Sequence, residues 1–138
     1  MIKEKIIMTN QEKDIYNKML RERTMTMAVD VYGLLQAKKV TPITRPIINQ
    51  IIRSSSSVAA NICAASRARS DAEFFSKICI VTEECDETLF WLEYLRRINL
   101  VSGDEIKTCI DEVDQLVRIF NSIKKKMKNR INANEKME

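Results

Sequence analysis

The sequence predicts an all-α protein, specifically an antiparallel up-down-up-down four-helix bundle. Only two glycines and two prolines occur in 138 residues, and hydrophobic residues make up 45% of the chain, which suits one domain with its own core. Apolar residues recur at steps of three and four in four long stretches. Short polar segments separate these stretches, so consecutive helices are expected to be antiparallel neighbours. A helical hairpin that completes its core only as an oligomer is the alternative.

The first helix is predicted over residues 10–38. Thr9 and Glu12 have the spacing of a capping box. Arg21 to Arg23 interrupt the apolar stripe, so a break near residue 22 is an open alternative. Residues 1–8 are assigned to an N-terminal tail, and residues 9–127 to the bundle. The stripe consists of Ile15, Met19, Met27, Val31 and Leu34.

The second helix is predicted to start near Pro46, because proline is well tolerated in the first turn of a helix. Four consecutive serines follow at residues 54–57, and serine runs usually favour turns. Helical spacing continues on both sides of them, so we place the serines inside the helix. The small side chains of Ser54, Ser55, Ala59 and Ala60 are expected to allow close approach by a neighbouring helix. The apolar positions are Ile47, Ile48, Ile51, Ile52, Val58 and Ile62.

The third and fourth helices carry the clearest periodicity. Ser70 and Glu73 form a second capping box, and a helix is predicted from about 71 to 98. Ser102 and Glu105 form a third box before the last helix. Residues 128–138 are polar and are predicted to be a disordered tail. The two seams are Phe74, Ile78, Val81, Cys85, Thr88, Leu92 and Leu95, then Ile106, Cys109, Val113, Leu116, Phe120, Ile123 and Met127.

Composition excludes the common catalytic sets. The chain has no histidine, so Ser-His and Cys-His nucleophile pairs and the Glu-x-x-His di-iron set cannot form. We therefore predict no enzyme activity, no catalytic residue, no cofactor and no metal. The four cysteines lack any CxxC pair and are interpreted as buried free thiols rather than a disulfide or zinc set. Cys63 as a lone reactive thiol is the less favoured reading.

Two polar features have both a structural and a functional interpretation. Glu83 and Glu87 lie one turn apart and could bind a cation, but a solvated face or intersubunit ion pairs are the favoured reading. Asn61 lies among small apolar residues. We predict that it is a structural polar residue of the core, an amide bonded across the interface, in preference to a ligand-binding residue.

Charge is segregated along the chain. Residues 31–70 contain no acid and carry six cations, whereas residues 71–94 hold seven acids and one lysine. A basic surface for RNA or DNA phosphates, or for an acidic protein partner, is predicted from this pattern. Arg53 and Arg67 would share one helical face and span about 21 Å. Contacts between identical subunits and simple solvation are the alternatives. The predicted binding residues are Lys38, Lys39, Arg45, Arg53, Arg67, Arg69, Lys124, Lys125 and Lys126.

Apolar residues outside the two seams predict self-association. Ile80, Phe90, Trp91, Ile110 and Val117 fall beyond one core face. Among them Phe90 and Trp91 are assigned to an oligomer interface, because large aromatic side chains commonly anchor such contacts.

Two sequence blocks resemble a known family. Arg53, Ser54, Ser57, Val58, Ala60 and Asn61 fit the pattern Arg-Ser-x-x-Ser-hydrophobic-x-Ala-Asn, and Glu83, Glu87, Thr88, Trp91 and Leu92 fit Glu-x-x-x-Glu-Thr-x-x-Trp-Leu. The stretch from about residue 23 to 125 is similar to the bacterial four-helix bundle proteins related to the S23 ribosomal, or rRNA intervening-sequence, protein. Where members carry a glutamate three positions after the asparagine, this chain has Ala64.

The resemblance implies a small basic bundle without known enzymatic activity, often a homopentamer, found close to nucleic acid. We therefore predict a non-enzymatic oligomeric scaffold or accessory protein that associates with RNA, DNA or a nucleoprotein complex. A protein-only adaptor whose basic face receives an acidic partner is the alternative. The first residues, MIKEKIIM, resemble neither a signal peptide nor a membrane span, so we expect a cytoplasmic protein without a membrane partner.

Overall fold

Residues 10–137 are described by a computed structural model, and they form four α-helices. These are α1 (Asn10–Leu35), α2 (Arg45–Ala65), α3 (Asp71–Arg97) and α4 (Asp104–Met137). The predicted all-α bundle is confirmed. The first helix is continuous through residue 22, so the alternative of a break there is wrong, and it ends three residues earlier than predicted. The assigned tail 1–8 and the Thr9 cap lie outside the described residues.

Three short loops join the helices: L1 (36–44), L2 (66–70) and L3 (98–103). L2 ends with the predicted capping box, in which the Ser70 hydroxyl accepts a hydrogen bond from the Glu73 N–H at 3.1 Å. The Glu73 carboxylate accepts from the N–H of Arg69 at 3.3 Å. In L3, Asn99 has a φ of 58°, and the Leu100 N–H donates to the Leu95 carbonyl, which closes α3 with a Schellman motif.

The two predicted seams form the core. Val81, Cys85 and Leu92 of α3 and Val113 and Leu116 of α4 are fully buried. The core residues of α1 include Leu20, Met27 and Val31, and those of α2 include Ile51 and Val58. Each helix buries one apolar stripe against its neighbours, so the two seams contribute to the core as predicted.

The last helix differs from the prediction. It continues through residues 128–137, the segment expected to be a disordered tail. No glycine or proline stops it there. Ile131 is half-buried in line with the apolar stripe, and Arg130 forms an ion pair with Asp71 at 3.1 Å. Local propensity and these contacts together extend α4 beyond its predicted end at residue 127.

The helices are arranged in chain order around the bundle. α2 packs closely on α1 and α3, α3 packs on α4, and α1 packs only lightly on α4. L1 and L3 therefore lie at one end of the bundle and L2 at the other, and the 27 residues of α3 separate the two ends by about 40 Å. Among residues 10–137 no helix has an apolar run long enough to cross a membrane.

Candidate nucleic-acid interface

The nine predicted basic residues do not form one surface. Lys38, Lys39 and Arg45 lie at the L1–L3 end, and Arg53 lies in the middle of α2. Arg67 and Arg69 lie in L2, and Lys124 to Lys126 lie in the part of α4 that reaches the L2 end. The antiparallel topology separates cations that are neighbours in sequence, so the L2 end and the L1–L3 end must be treated as different sites.

Arg53 is bound to acidic residues of the same chain. Its guanidinium donates to both Glu84 carboxylate oxygens at 3.1 and 3.2 Å and also to the Glu87 carboxylate. Hydrogen bonding to Glu84 raises the pKa of Arg53. The arginine therefore joins α2 to α3, and its charge is already matched by two carboxylates.

The face predicted to carry Arg53 and Arg67 together does not exist. α2 ends at Ala65, so Arg67 lies in L2 rather than on the helix. The N–H of Ser66 bonds to the Ile62 carbonyl and that of Arg67 to the Ala64 carbonyl, which closes the last turn. Arg67 and Arg69 are both exposed beyond it.

The adjoining part of α4 is strongly basic. Residues 121–130 contain five cations and no acid: Lys124, Lys125, Lys126, Lys128 and Arg130. Lys125 and Lys128 are exposed, Lys124 and Lys126 are half-buried, and Arg130 is bound to Asp71. In the neighbouring segment 66–73, Arg67 and Arg69 balance Asp71 and Glu73, so the L2 end keeps an excess of positive charge.

The L1–L3 end combines cations with exposed apolar side chains. Lys39 and Arg45 are exposed and Lys38 is half-buried. Between them Ile43 is 82% exposed and Val40 is 50% exposed. A surface of this mixed kind favours a partner that is both apolar and acidic.

The acidic residues of α3 give no sign of a cation site. Glu87 is bound to Arg53, and Glu83 is exposed. Within residues 10–137 no three His, Cys, Asp or Glu side chains group closely enough to hold a metal ion. Glu83 thus lies on a solvated face, one of the two favoured readings, whereas Glu87 forms an ion pair within its own chain, which neither reading included.

Asn61 does not make the predicted bond across a helix interface within the chain. It is half-buried, and its amide donates to the Ser57 carbonyl at 2.9 Å and to the Ser57 hydroxyl at 3.1 Å. Both acceptors lie one turn earlier on the same helix. A buried polar contact between α2 and α3 is made instead by Ser54, whose hydroxyl lies 2.9 Å from that of Thr88.

An aromatic cluster occupies the outer side of α3 near L3. Phe90 and Tyr94 are 56% and 40% exposed, and Trp91 is half-buried between them and the core. The rings of Phe90 and Trp91 meet edge to face, with centroids 4.9 Å apart. The Trp91 indole N–H is buried and has no hydrogen-bond acceptor among the described residues.

The cysteines are free, as predicted. Burial raises the pKa of Cys85 to about 12 and that of Cys109 to about 11. Cys63 and Cys79 are half-buried. Because the thiolate is the reactive form, the two core cysteines are poor nucleophiles at neutral pH.

Two further polar contacts were not predicted from the sequence. Arg23 donates to the Glu112 carboxylate at 2.7 and 2.9 Å and to Gln115 at 2.7 Å, which links α1 to α4. Hydrogen bonding to Glu112 raises the pKa of Arg23. One feature of the sequence could have indicated the Ser54–Thr88 contact, namely that Thr88 lies in the middle of an apolar seam. A buried hydroxyl needs a partner, and Ser54 is the buried hydroxyl on the facing helix.

Comparison with known proteins finds a matching family model and similar solved structures. The model of the family described as 23S rRNA-intervening sequence protein matches residues 16–122. A crystal structure of a protein with unknown function from the S23 ribosomal protein family of Bacteroides thetaiotaomicron is 28% identical, with a TM-score of 0.66. The match covers 77% of this chain and 98% of that one. No curated protein matches the chain.

Proposed function

Since this chain belongs to the 23S rRNA-intervening sequence protein family, we propose that it is a non-enzymatic bundle that self-associates and serves as a scaffold or accessory protein for an RNA- or DNA-containing complex. The observation that carries the nucleic-acid part is the excess of cations at the L2 end. There, five cations occur without an acid along residues 121–130 of α4, beside the exposed Arg67 and Arg69.

The chemistry of the L2 end suits phosphate groups. Lysine and arginine side chains bind phosphates by charge, and each contact releases counterions from the nucleic acid. Lys125 and Lys128 are exposed on α4, and α4 rises about 1.5 Å per residue, so its basic section extends for about 14 Å. This length matches several phosphates of one strand.

The same surface is poorly suited to reading base sequence. Base-specific contacts require side chains that enter a groove or stack on unpaired bases. The exposed aromatic residues are Tyr32 on α1 near L1 and Phe90 and Tyr94 on α3 near L3, at the opposite end from the cations of the L2 end. The protein is therefore proposed to bind the sugar-phosphate backbone with little dependence on sequence.

Titration of a fluorescent RNA or DNA duplex at increasing salt tests the proposal. Affinity should fall steeply with salt, with a slope that counts the phosphate contacts. Arg67→Glu with Arg69→Glu should abolish binding and leave helicity and particle size unchanged. Lys107→Glu with Arg118→Glu is the matched control, since it reverses the same number of charges on α4 outside the L2 end and should retain at least half of the binding.

Three results are distinguishable. Loss of binding with an intact particle supports the phosphate surface at the L2 end. If the Arg67/Arg69 variant instead dissociates, these arginines contact the acidic α3 of another subunit. If neither property changes, the L2 cations are merely solvated, and the nucleic-acid proposal is abandoned.

Self-association is supported by the aromatic cluster on α3. Phe90 is more than half exposed and stacks against Trp91, whose N–H lacks an acceptor in residues 10–137. Light scattering coupled to gel filtration should give several times 16.0 kDa, and five subunits are the expectation that the resemblance supplies. A monomer at micromolar concentration contradicts this part of the proposal.

A further inference from the structure

The most exposed large apolar side chain in L1 is that of Ile43. It is 82% exposed, and Val40 beside it is 50% exposed. Isoleucine at the tip of a loop contributes nothing to the core of its own chain. Ile43 and Val40 together give the tip of L1 an apolar surface that is open to a partner.

L1 holds Ile43 in a fixed position. The Thr44 hydroxyl accepts from the Thr41 N–H at 2.9 Å, and the Thr41 hydroxyl accepts from the Thr44 N–H at 3.2 Å. Pro42 lies between them and Pro46 lies in the first turn of α2. A loop restrained in this way loses little conformational entropy when its tip is buried by a partner.

A groove on α3 offers a surface of the opposite character. It is lined by Asp86, Leu89, Phe90, Glu93, Tyr94 and Arg97, with a volume of about 440 Å³. Its apolar part is formed by one aliphatic and two aromatic side chains. Asp86 and Glu93 lie two turns apart on the flank of α3 away from Glu84, which faces α2 through Arg53.

The charges of loop and groove are complementary. L1 and the start of α2 carry Lys38, Lys39 and Arg45, and no acid occurs anywhere in residues 31–70. The groove has two acids and one cation. Glu93 pairs with Arg96 at 2.5 Å, whereas Asp86 forms no ion pair within the part of the chain that the structure describes. Asp86 is thus available to a cation of L1.

The loop and the groove of one chain are not in contact. Ile43 at the tip of L1 is 82% exposed, and the groove is lined by residues of α3 alone. Both lie toward the L1–L3 end. A contact between them must therefore join two copies head to tail.

We infer that Ile43 of one subunit inserts into the Leu89–Phe90–Tyr94 groove of the next, with Lys38, Lys39 or Arg45 against Asp86. The inference rests on the proposed self-association and names its contact surfaces. Because the two surfaces differ, the contact is head to tail, and its repetition forms a ring where the rotation between subunits closes. Trp91 lies behind the groove and supports Phe90 and Tyr94 through edge-to-face contacts.

Two single substitutions test the contact by light scattering with gel filtration. Ile43→Ser removes the inserted side chain, and Phe90→Ser removes part of the groove. Both residues are more than half exposed, so circular dichroism should show unchanged helicity. Each variant should elute as a 16.0 kDa monomer. Asp86→Lys is a second groove variant that retains every apolar side chain and should dissociate the assembly as well.

Mixing the two monomeric variants gives the decisive result. Ile43→Ser keeps an intact groove and Phe90→Ser keeps an intact loop, so an equimolar mixture should form a complex of two chains and nothing larger. Ile15→Ser, at a residue 63% exposed near the L2 end of α1, is the matched control and should leave the native particle size unchanged.

The outcomes separate this inference from the proposed function. A monomeric native protein overturns both the self-association and the loop-groove contact. An oligomeric native protein whose size is unchanged by Ile43→Ser, or variants that stay monomeric when mixed, overturns the loop-groove contact alone. Dissociation by both variants with recombination on mixing supports it.

Discussion

The α2–α3 and α1–α4 interfaces use polar side chains in different ways. At α2–α3 a pair of hydroxyls, Ser54 and Thr88, is buried in the core, and Arg53 bridges two glutamates outside it. At α1–α4 the helices pack lightly, and Arg23 binds Glu112 at the edge. Small residues let α2 and α3 approach closely, whereas α1 and α4 depend more on a partly solvated ion pair. We therefore expect the bundle to tolerate change at α1–α4 better than at α2–α3.

The largest effect is expected for Ser54→Asp. The substitution places a carboxylate in a fully buried position where the only nearby partners are a hydroxyl and a carbonyl. An uncompensated buried charge costs several kcal/mol, about 3–5 by analogy with broken buried ion pairs. Urea unfolding of Ser54→Asp and of the exposed control Ser56→Asp measures the difference. Equal midpoints for the two variants would contradict the tight α2–α3 packing.

A smaller loss is expected for Thr88→Val. The side chain keeps its shape but loses the hydroxyl that lies 2.9 Å from the Ser54 hydroxyl and 2.8 Å from the Glu84 carbonyl. Ser54 retains the Ile51 carbonyl, so the cost should be about 1 kcal/mol. Ser54→Ala should lower the free energy of unfolding by less in the Thr88→Val variant than in the native protein. Strict additivity in this double-mutant cycle would show that the two hydroxyls are not coupled.

Arg23→Ala tests the contribution of the ion pair at the α1–α4 interface. The ion pair is partly exposed, so its loss should cost about 1 kcal/mol or less, and the effect should shrink in high salt. Cys109 is buried close to Asp30 of α1 and reports local opening, whereas Cys85 reports the centre of the core. A thiol reagent should therefore label Cys109 several times faster in Arg23→Ala, with little change at Cys85.

The arginine of an ion pair within one helix provides the control for Arg23. Arg118 binds Asp114 at 3.0 Å on α4 and is largely exposed. Arg118→Ala should change stability by less than about 0.5 kcal/mol and leave the labelling of Cys109 unchanged. Acceleration in both variants would mean that Arg23 does not close the α1–α4 interface specifically.

The smallest effect is expected for Asn61→Ala. Asn61 bonds only to Ser57 of its own helix and is half-buried, and alanine is the better helix former. The free energy of unfolding should change by less than about 0.5 kcal/mol, because the two contributions oppose each other. A melting temperature lowered as far as in Thr88→Val would indicate that Asn61 is buried against another subunit.

Periodicity accounts for most of what was predicted of the fold. Ile78, Val81 and Leu92 were placed in the core because steps of three and four identify one face of a helix, and they are buried. The Ser70–Glu73 cap was also predicted correctly, because a capping box is a pattern of residues close together in the chain. The candidate site was predicted less well. Arg53 and Arg67 were placed together from their spacing, but the helix ends between them.

The helices, their core stripes and the family could be predicted from the sequence, because these follow from patterns of residues close in the chain. Which charged residues form ion pairs and which remain exposed depends on the tertiary structure. Arg53 and Arg23 are bound to acids 31 to 89 residues away, and Lys125 and Lys128 are exposed at the end opposite Lys39. An ion pair depends on which helices become neighbours and in what direction they run. A spacing of three or four residues carries no information about either.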